Sequence, residues 1–199
     1  MRSLAHSQDV ELLRQSLTPL PEPVARPVLV IVSGLPGTGK SYVSRCLAER
    51  APLVILETDA LRKALCPSPT YSPAESSRLF QACHLLIEEL LQKGTSLIFD
   101  ATNLMERHRE RLYNIADRLK AKLVIVRVEA PLAEVQQRLQ NRSDDLSTDD
   151  TSTASWGVYQ RMKPGVERIR RNHFVVDTSK EITPVIDKVV KEINRWAKG

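Results

Sequence analysis

The sequence predicts an α/β fold: a three-layer sandwich in which helices cover both faces of a five-stranded parallel sheet. Three observations predict it. Short apolar runs alternate with helical stretches from residue 28 onward, the pattern of strands joined by crossover helices. The first run, Pro27-Val28-Leu29-Val30-Ile31-Val32-Ser33, is apolar throughout, as a strand buried on both faces requires. A glycine-rich loop follows it directly, at the carboxyl end of the strand, where such sheets bind ligands.

The elements follow in order. Residues 1–27 read as an extension to the domain: Val10, Leu13 and Leu17 fall near one helical face, and Thr18-Pro19-Leu20-Pro21-Glu22-Pro23 ends the helix. Within the domain, 28–199, a helix is expected from Ser41 to Arg50, then a strand at Leu53-Val54-Ile55-Leu56 and a short helix from Thr58 to Leu65. A proline-broken loop, 67–73, precedes a longer helix ending near Gly94. The third strand is Ser96-Leu97-Ile98-Phe99, followed by a helix over Met105 to Lys120 and a fourth strand, Leu123 to Val128. The next helix carries Pro131 in its first turn, where the missing N–H costs nothing. A fifth strand at Phe174-Val175-Val176 and a helix capped by Thr183, with Pro184 at its first position, complete the series. The segment from Asn141 to Thr153 is polar and has no apolar period. It reads equally as a mobile connection or as a catalytic lid over 143–153.

Composition narrows the function classes. A chain of 199 residues with 42% hydrophobic content can bury a core as one domain. It has no apolar run near the roughly 20 residues of a membrane span and no secretory leader pattern, so a cytoplasmic protein without a membrane partner is expected. Cys46, Cys66 and Cys83 are odd in number and lack paired spacing, which points to buried thiols rather than disulfides or zinc. The net charge of +5 favours anionic partners without choosing among nucleotides, nucleic acid and a solvated basic surface.

The chemistry is concentrated in Gly34-Leu35-Pro36-Gly37-Thr38-Gly39-Lys40-Ser41, a full Gly-x-x-x-x-Gly-Lys-Ser/Thr motif between a strand and a helix. Its backbone N–H groups can cradle phosphates, Lys40 can reach the β and γ phosphates, and Ser41 can ligate Mg²⁺. Tyr42, next in the chain, is counted with the nucleotide-binding segment. Neither Asn-Lys-x-Asp nor Asp-x-x-Gly occurs, which argues against a GTPase switch. At the end of the second strand, Asp59 can accept the proton of an attacking hydroxyl, and Arg62, one turn later, can hold an anionic acceptor. A helix N-terminal carboxylate is the plainer account of Asp59. Asp100 ends the third strand as a candidate Mg²⁺ ligand, and Thr102 and Asn103 either line the acceptor pocket or cap the next helix. Arg138 and Arg142 share a helical face, from which Arg142 would swing over the phosphates and Arg138 stack on the base, unless both belong to a solvated basic face.

GLPGTGKS, TDALR, FDATN and PLAEVQQRLQNR together resemble the 5′-hydroxyl polynucleotide kinases and their relatives, the zeta toxins, chloramphenicol phosphotransferase and gluconate-type kinases, over residues 28 to about 177. The resemblance implies a P-loop NTPase sandwich with a helical lid that uses ATP and Mg²⁺. It places the general base on Asp59, its arginine on Arg62, the strand-end element on Asp100, Thr102 and Asn103, and the lid arginine on Arg142. The phosphatase signature Asp-x-Asp-x-Thr, present in some members, is absent here. The expected activity is therefore transfer of the ATP γ phosphoryl group to a hydroxyl, first a polynucleotide 5′ end, with a sugar, nucleotide sugar or antibiotic as the alternative. An ATP-binding switch without an acceptor is the second alternative. Asp144, Asp145, Asp149 and Asp150 would repel a nucleic-acid backbone along the lid, whereas Arg107, Arg109, Arg111, Arg168, Arg170 and Arg171 could follow one.

Overall fold

The first strand, β1 (Val28–Ser33), is buried along its whole length and lies at the centre of the sheet. In the computed structural model, which describes residues 2–17, 19–144 and 155–198, β2 (Val54–Glu57), β3 (Leu97–Asp100), β4 (Lys122–Glu129) and β5 (Phe174–Asp177) join it in the order β2-β3-β1-β4-β5. Every pairing is parallel. The helices are α1 (Arg2–Gln15), α2 (Lys40–Ala48), α3 (Thr58–Leu65), α4 (Pro73–Gln92), α5 (Glu106–Arg118), α6 (Leu132–Asp144), α7 (Trp156–Met162) and α8 (Thr183–Lys198). The expected α/β sandwich with a five-stranded parallel sheet is the fold observed.

Alternate side chains of β1 explain the two core layers. Leu29 and Ile31 pack with Leu56, Phe99 and Ile125 under α3, α4 and α5. Val28, Val30 and Val32 pack with Ile98, Val126 and Val43 under α2 and α8. A strand that must be apolar on both faces has no polar side to alternate, so the uninterrupted run was its only possible signature. Register then aligns the functional ends: Val32 pairs with Asp100 and Asp100 with Glu57, so both carboxylates emerge at one edge beside the P-loop.

Two boundaries differ from the sequence reading. α6 continues through Asp144, into the segment read as irregular, while 145–153 of the proposed lid lie outside the described residues. α7 was not anticipated, because Trp156-Gly157-Val158-Tyr159 is short and carries a glycine. Residues 1–27 are also more than an appendage. Leu13 is fully buried and Leu17 nearly so in the layer beneath α4. Arg78 of α4 holds Asp9 through two hydrogen bonds, and Val24 N–H bonds the carbonyl of Gly94.

Leu13→Ala should therefore destabilise the whole domain by about 2–5 kcal/mol, the usual cost of emptying a buried leucine site, read by chemical denaturation of the full chain. A change confined to local fraying, with the main transition unmoved, would make α1 a detachable arm.

Candidate active site

The phosphate loop takes its shape from three glycines and a hydroxyl. A Cβ on Gly34 would sit 2.4 Å from the Val128 carbonyl oxygen of β4, so only glycine lets the chain leave β1 there. Gly37 and Gly39 have φ of 79° and 87°, in the left-handed region. Thr38 Oγ1 donates to the Leu35 carbonyl at 2.8 Å, and Lys40 Nζ donates to the same carbonyl at 3.1 Å. The loop is thus closed on itself, and α2 begins at Lys40 with its N-terminal N–H groups directed at the bend.

An outer brace holds it. Arg138 donates to Thr178 Oγ1 at 2.7 Å and to the Thr178 carbonyl at 3.1 Å, and Thr178 Oγ1 donates to the Thr38 carbonyl at 2.8 Å. The structure thus ties Arg138 to the P-loop and to the turn after β5, a binding task different from the expected base stacking. Leu35 packs outward against Val135, Leu139 and Trp156 and takes part in the loop through its carbonyl. Tyr42 is 52% exposed on α2 and is not among the residues lining the cavity. The Arg142 side chain lies outside the described residues.

In front of the loop opens a cavity of about 530 Å³ lined by Gly37, Gly39, Lys40, Ser41, Glu57, Asp59, Arg62, Asp100 and Thr102, among others. Asp100 is 3% exposed and accepts from Ser44 Oγ at 2.9 Å. Burial pushes its carboxyl above the usual aspartate range, with Lys40 and Ser44 pulling the other way and Glu57 adding to the rise. Ser41 Oγ donates to Glu57 Oε1 at 3.0 Å. Glu57 was missed from the sequence; only its place at a strand end, two residues before Asp59, could have pointed to it. Ser41, Glu57 and Asp100 together offer the all-oxygen donor set that Mg²⁺ prefers, and the glycine bends leave a cradle that side chains would fill. The residues therefore fit Mg²⁺ and a nucleotide phosphate.

The acceptor side is less open than expected. Asp59 lies in the first turn of α3 and faces the cavity. Arg62 is 7% exposed and bonds Glu75 Oε1 at 2.6 Å, with its guanidinium 4.7 Å from the centre of the Tyr71 ring. Glu75 is held down to about 2, first by the Thr70 backbone N–H and then by Arg62, so the pair stays ionised. Thr102 lines the cavity, and its carbonyl accepts from the Gly34 N–H at 3.1 Å. Asn103 is overturned as an acceptor contact: its amide donates to the Val32 carbonyl at 2.8 Å, its φ is 45°, and it stitches β3 to β1. Sequence reasoning also missed Tyr71, Ser76, Phe80, Val158, Arg161 and Met162 on the cavity wall. None of these belongs to a motif, and α7 follows the polar segment 141–153 in the chain, with no motif of its own.

A buried carboxylate only partly compensated by Lys40 and Ser44 costs stability, so Asp100→Asn should raise the unfolding free energy at neutral pH by about 0.5–2 kcal/mol, as relief of a strained site commonly does. The same change should weaken Mg²⁺-dependent nucleotide binding about 10- to 100-fold. Below the ordinary aspartate value near 3.8, folded and unfolded chains both hold this proton. As pH rises, the unfolded chain releases it first, so the stability contribution falls through the raised folded value. The Asn variant should lack that fall in a pH series of denaturation curves.

Comparison with known proteins agrees with this geometry. The profile of the AAA domain family (AAA_33) matches residues 29–169. The L-seryl-tRNA(Sec) kinase of Methanococcus maripaludis is 28% identical over 124 residues, 60% of this chain and 48% of that protein, so the chain spans about half the length of this curated relative. Kti12 of Chaetomium thermophilum in complex with ADP-AlF3 superposes with a TM-score of 0.68 at 17% identity, covering 86% of this chain and 100% of that one. The APS kinase CysC of Mycobacterium tuberculosis, in complex with AMPPNP and APS, gives 0.63 at 18% identity over 87% and 99%. These two likenesses concern the fold. With most of β1 to β4, the phosphate loop and both strand-end carboxylates inside the matched span, the chain belongs to the AAA domain family.

Proposed function

We propose that the protein is an ATP-dependent kinase that transfers the γ phosphoryl group to a hydroxyl whose carrier enters the cavity beside Asp59. The observation that carries this reading is that Lys40, Ser41, Asp59 and Asp100 line one cavity, so a phosphate held by the loop meets a carboxylate poised for an incoming hydroxyl. Asp59 has no hydrogen-bond donor among the described residues, which leaves its oxygens for that hydroxyl. A switch protein would need no such group.

In this mechanism the loop N–H groups and Lys40 take up charge on the β and γ phosphates. Ser41, Asp100 and Glu57 would hold Mg²⁺, which when bound would neutralise developing charge on the transferring group. Asp59 orients the acceptor hydroxyl and accepts its proton, and Arg142 would close over the phosphates from α6.

A small acceptor is favoured over a polynucleotide end. Arg62, which a terminal phosphate would need, is already engaged by Glu75 and covered by Tyr71. The basic clusters are also broken up. Arg109 is fully buried, donating to the carbonyls of Asn103, Leu104, Glu167 and Arg168. Arg171 pairs with Asp117. The 28% identity to a kinase whose name specifies seryl-tRNA keeps a second reading in place, in which the small reacting group is carried on an RNA.

Asp59→Asn should cut turnover by about 10²–10⁴ while leaving ATP affinity within a few-fold; an equal loss of ATP binding would make Asp59 a metal or structural residue. Lys40→Ala should abolish transfer without unfolding the chain, and wild-type turnover at saturating ATP would sink the reading. In an acceptor screen with labelled ATP, KM for the true acceptor should change little between low and moderate salt. A steep rise, as counterion release from several phosphates demands, would instead select the RNA-borne acceptor.

A further inference from the structure

The far wall of the cavity is built from Tyr71, Ser76 and Phe80 around the start of α4 and from Val158, Arg161 and Met162 of α7. Four of these six side chains are aromatic or aliphatic. Polar capacity on this side is mostly committed: Arg62 is matched by Glu75, Ser76 Oγ is approached by Arg62 at 3.5 Å, and Thr58 Oγ1 donates to the Asp100 carbonyl at 3.2 Å. A polyol, each of whose hydroxyls needs a partner when desolvated, would lose hydrogen bonds on entering.

Tyr71 is a built feature of this wall. Its φ of 54° is an outlier for a bulky residue. The turn is fixed by Glu75, whose Oε2 accepts from Thr70 N–H at 2.6 Å and from Thr70 Oγ1 at 2.8 Å. The ring lies over Arg62, is still 45% exposed and lines the cavity. Phe80 backs the wall, edge-on to Phe99 at 6.3 Å. Arg161 differs in charge. It lies exposed on α7, and no carboxylate pairs with it among the described residues.

We propose that the acceptor is a flat or apolar molecule that carries one anionic group besides the accepting hydroxyl, with its body against Tyr71 and Phe80 and its anion on Arg161. This rests on the kinase reading of the cavity and narrows its substrate class: hydroxylated aromatic acids and nucleoside monophosphates qualify, and neutral polyols do not. Arg161 supplies charge-assisted hydrogen bonds to the anion, Tyr71 supplies a stacking face, and Asp59 receives the hydroxyl.

The test uses the full chain saturated with Mg²⁺ and a non-hydrolysable ATP analogue, so that the nucleotide site is filled. Binding is measured by calorimetry, and by the fluorescence of Trp156, which stacks on Tyr159 at 5.0 Å in the same helix as Arg161. The probes are adenosine 5′-monophosphate against adenosine, 4-hydroxyphenyllactate against its amide, and sorbitol. Each anion should bind about tenfold or more tightly than its neutral partner, Arg161→Ala should bring the pair within about twofold, and Arg161→Lys should keep most of the difference. Tyr71→Ala should weaken both members of a pair alike. Equal binding of the pair by the wild type, discrimination that survives Arg161→Ala, or tighter binding of sorbitol would overturn the proposal. Because binding is read without turnover, a site that selects anions yet never phosphorylates any acceptor refutes only the kinase reading. Phosphorylation of a neutral polyol refutes only the anionic acceptor.

Discussion

The site is organised by the placement of a buried carboxylate beside the phosphate-loop lysine. Asp100 ends the strand next to β1, at 3% exposure, where burial alone would favour its protonated form. Lys40 and the hydroxyl of Ser44 offset part of that cost, and both are carried by α2, which the loop delivers over the sheet edge. Without Gly34 the loop could not leave β1 so close to the Val128 carbonyl, and Lys40 would stand elsewhere. The sheet order, the glycine and the lysine therefore serve one electrostatic arrangement.

The same logic accounts for Glu57. Two carboxylates at paired register positions on adjacent strands repel each other in a poorly solvated site. The arrangement is tolerable because Ser41 donates to Glu57, Ser44 donates to Asp100, and Lys40 stands nearby. A serine hydroxyl that spends its proton on Glu57 turns a lone pair toward the cavity, which is what a ligand to a hard cation must do.

How far the sequence could be read follows from where each residue's partners lie. The strands and the loop were legible because their causes are local: an apolar run buried on two faces, a glycine motif, a proline at a helix start. Asp59 and Arg62 were legible as cavity residues because they follow a strand end directly. Arg62's commitment to Glu75 and Tyr71 was not, because the proline-broken loop that folds Tyr71 back carries no periodic signal. Asn103 misled for a related reason. An amide after a strand end suits a pocket or a cap equally, and the choice was made by the Val32 carbonyl, 71 positions away in the chain. Leu13 showed its helical spacing but not its destination, since only the packed α4 reveals that the N-terminal helix completes the core.

The division of labour between the two cations on the acceptor side follows from burial. Arg62 sits under a ring, at 7% exposure, against a carboxylate that stays ionised, so its charge is spent within the protein and its role is to fix α3 against α4. That fixes Asp59, one turn earlier on α3, relative to the phosphate loop. Arg161 lies exposed on α7, where no carboxylate pairs with it among the described residues. In the proposed kinase reading, Arg62 thus fixes the geometry around Asp59, while Arg161 is the charge left for the bound acceptor. In that reading, specificity is expected to reside in α7 and the Tyr71 turn, and the chemistry at the ends of β1, β2 and β3.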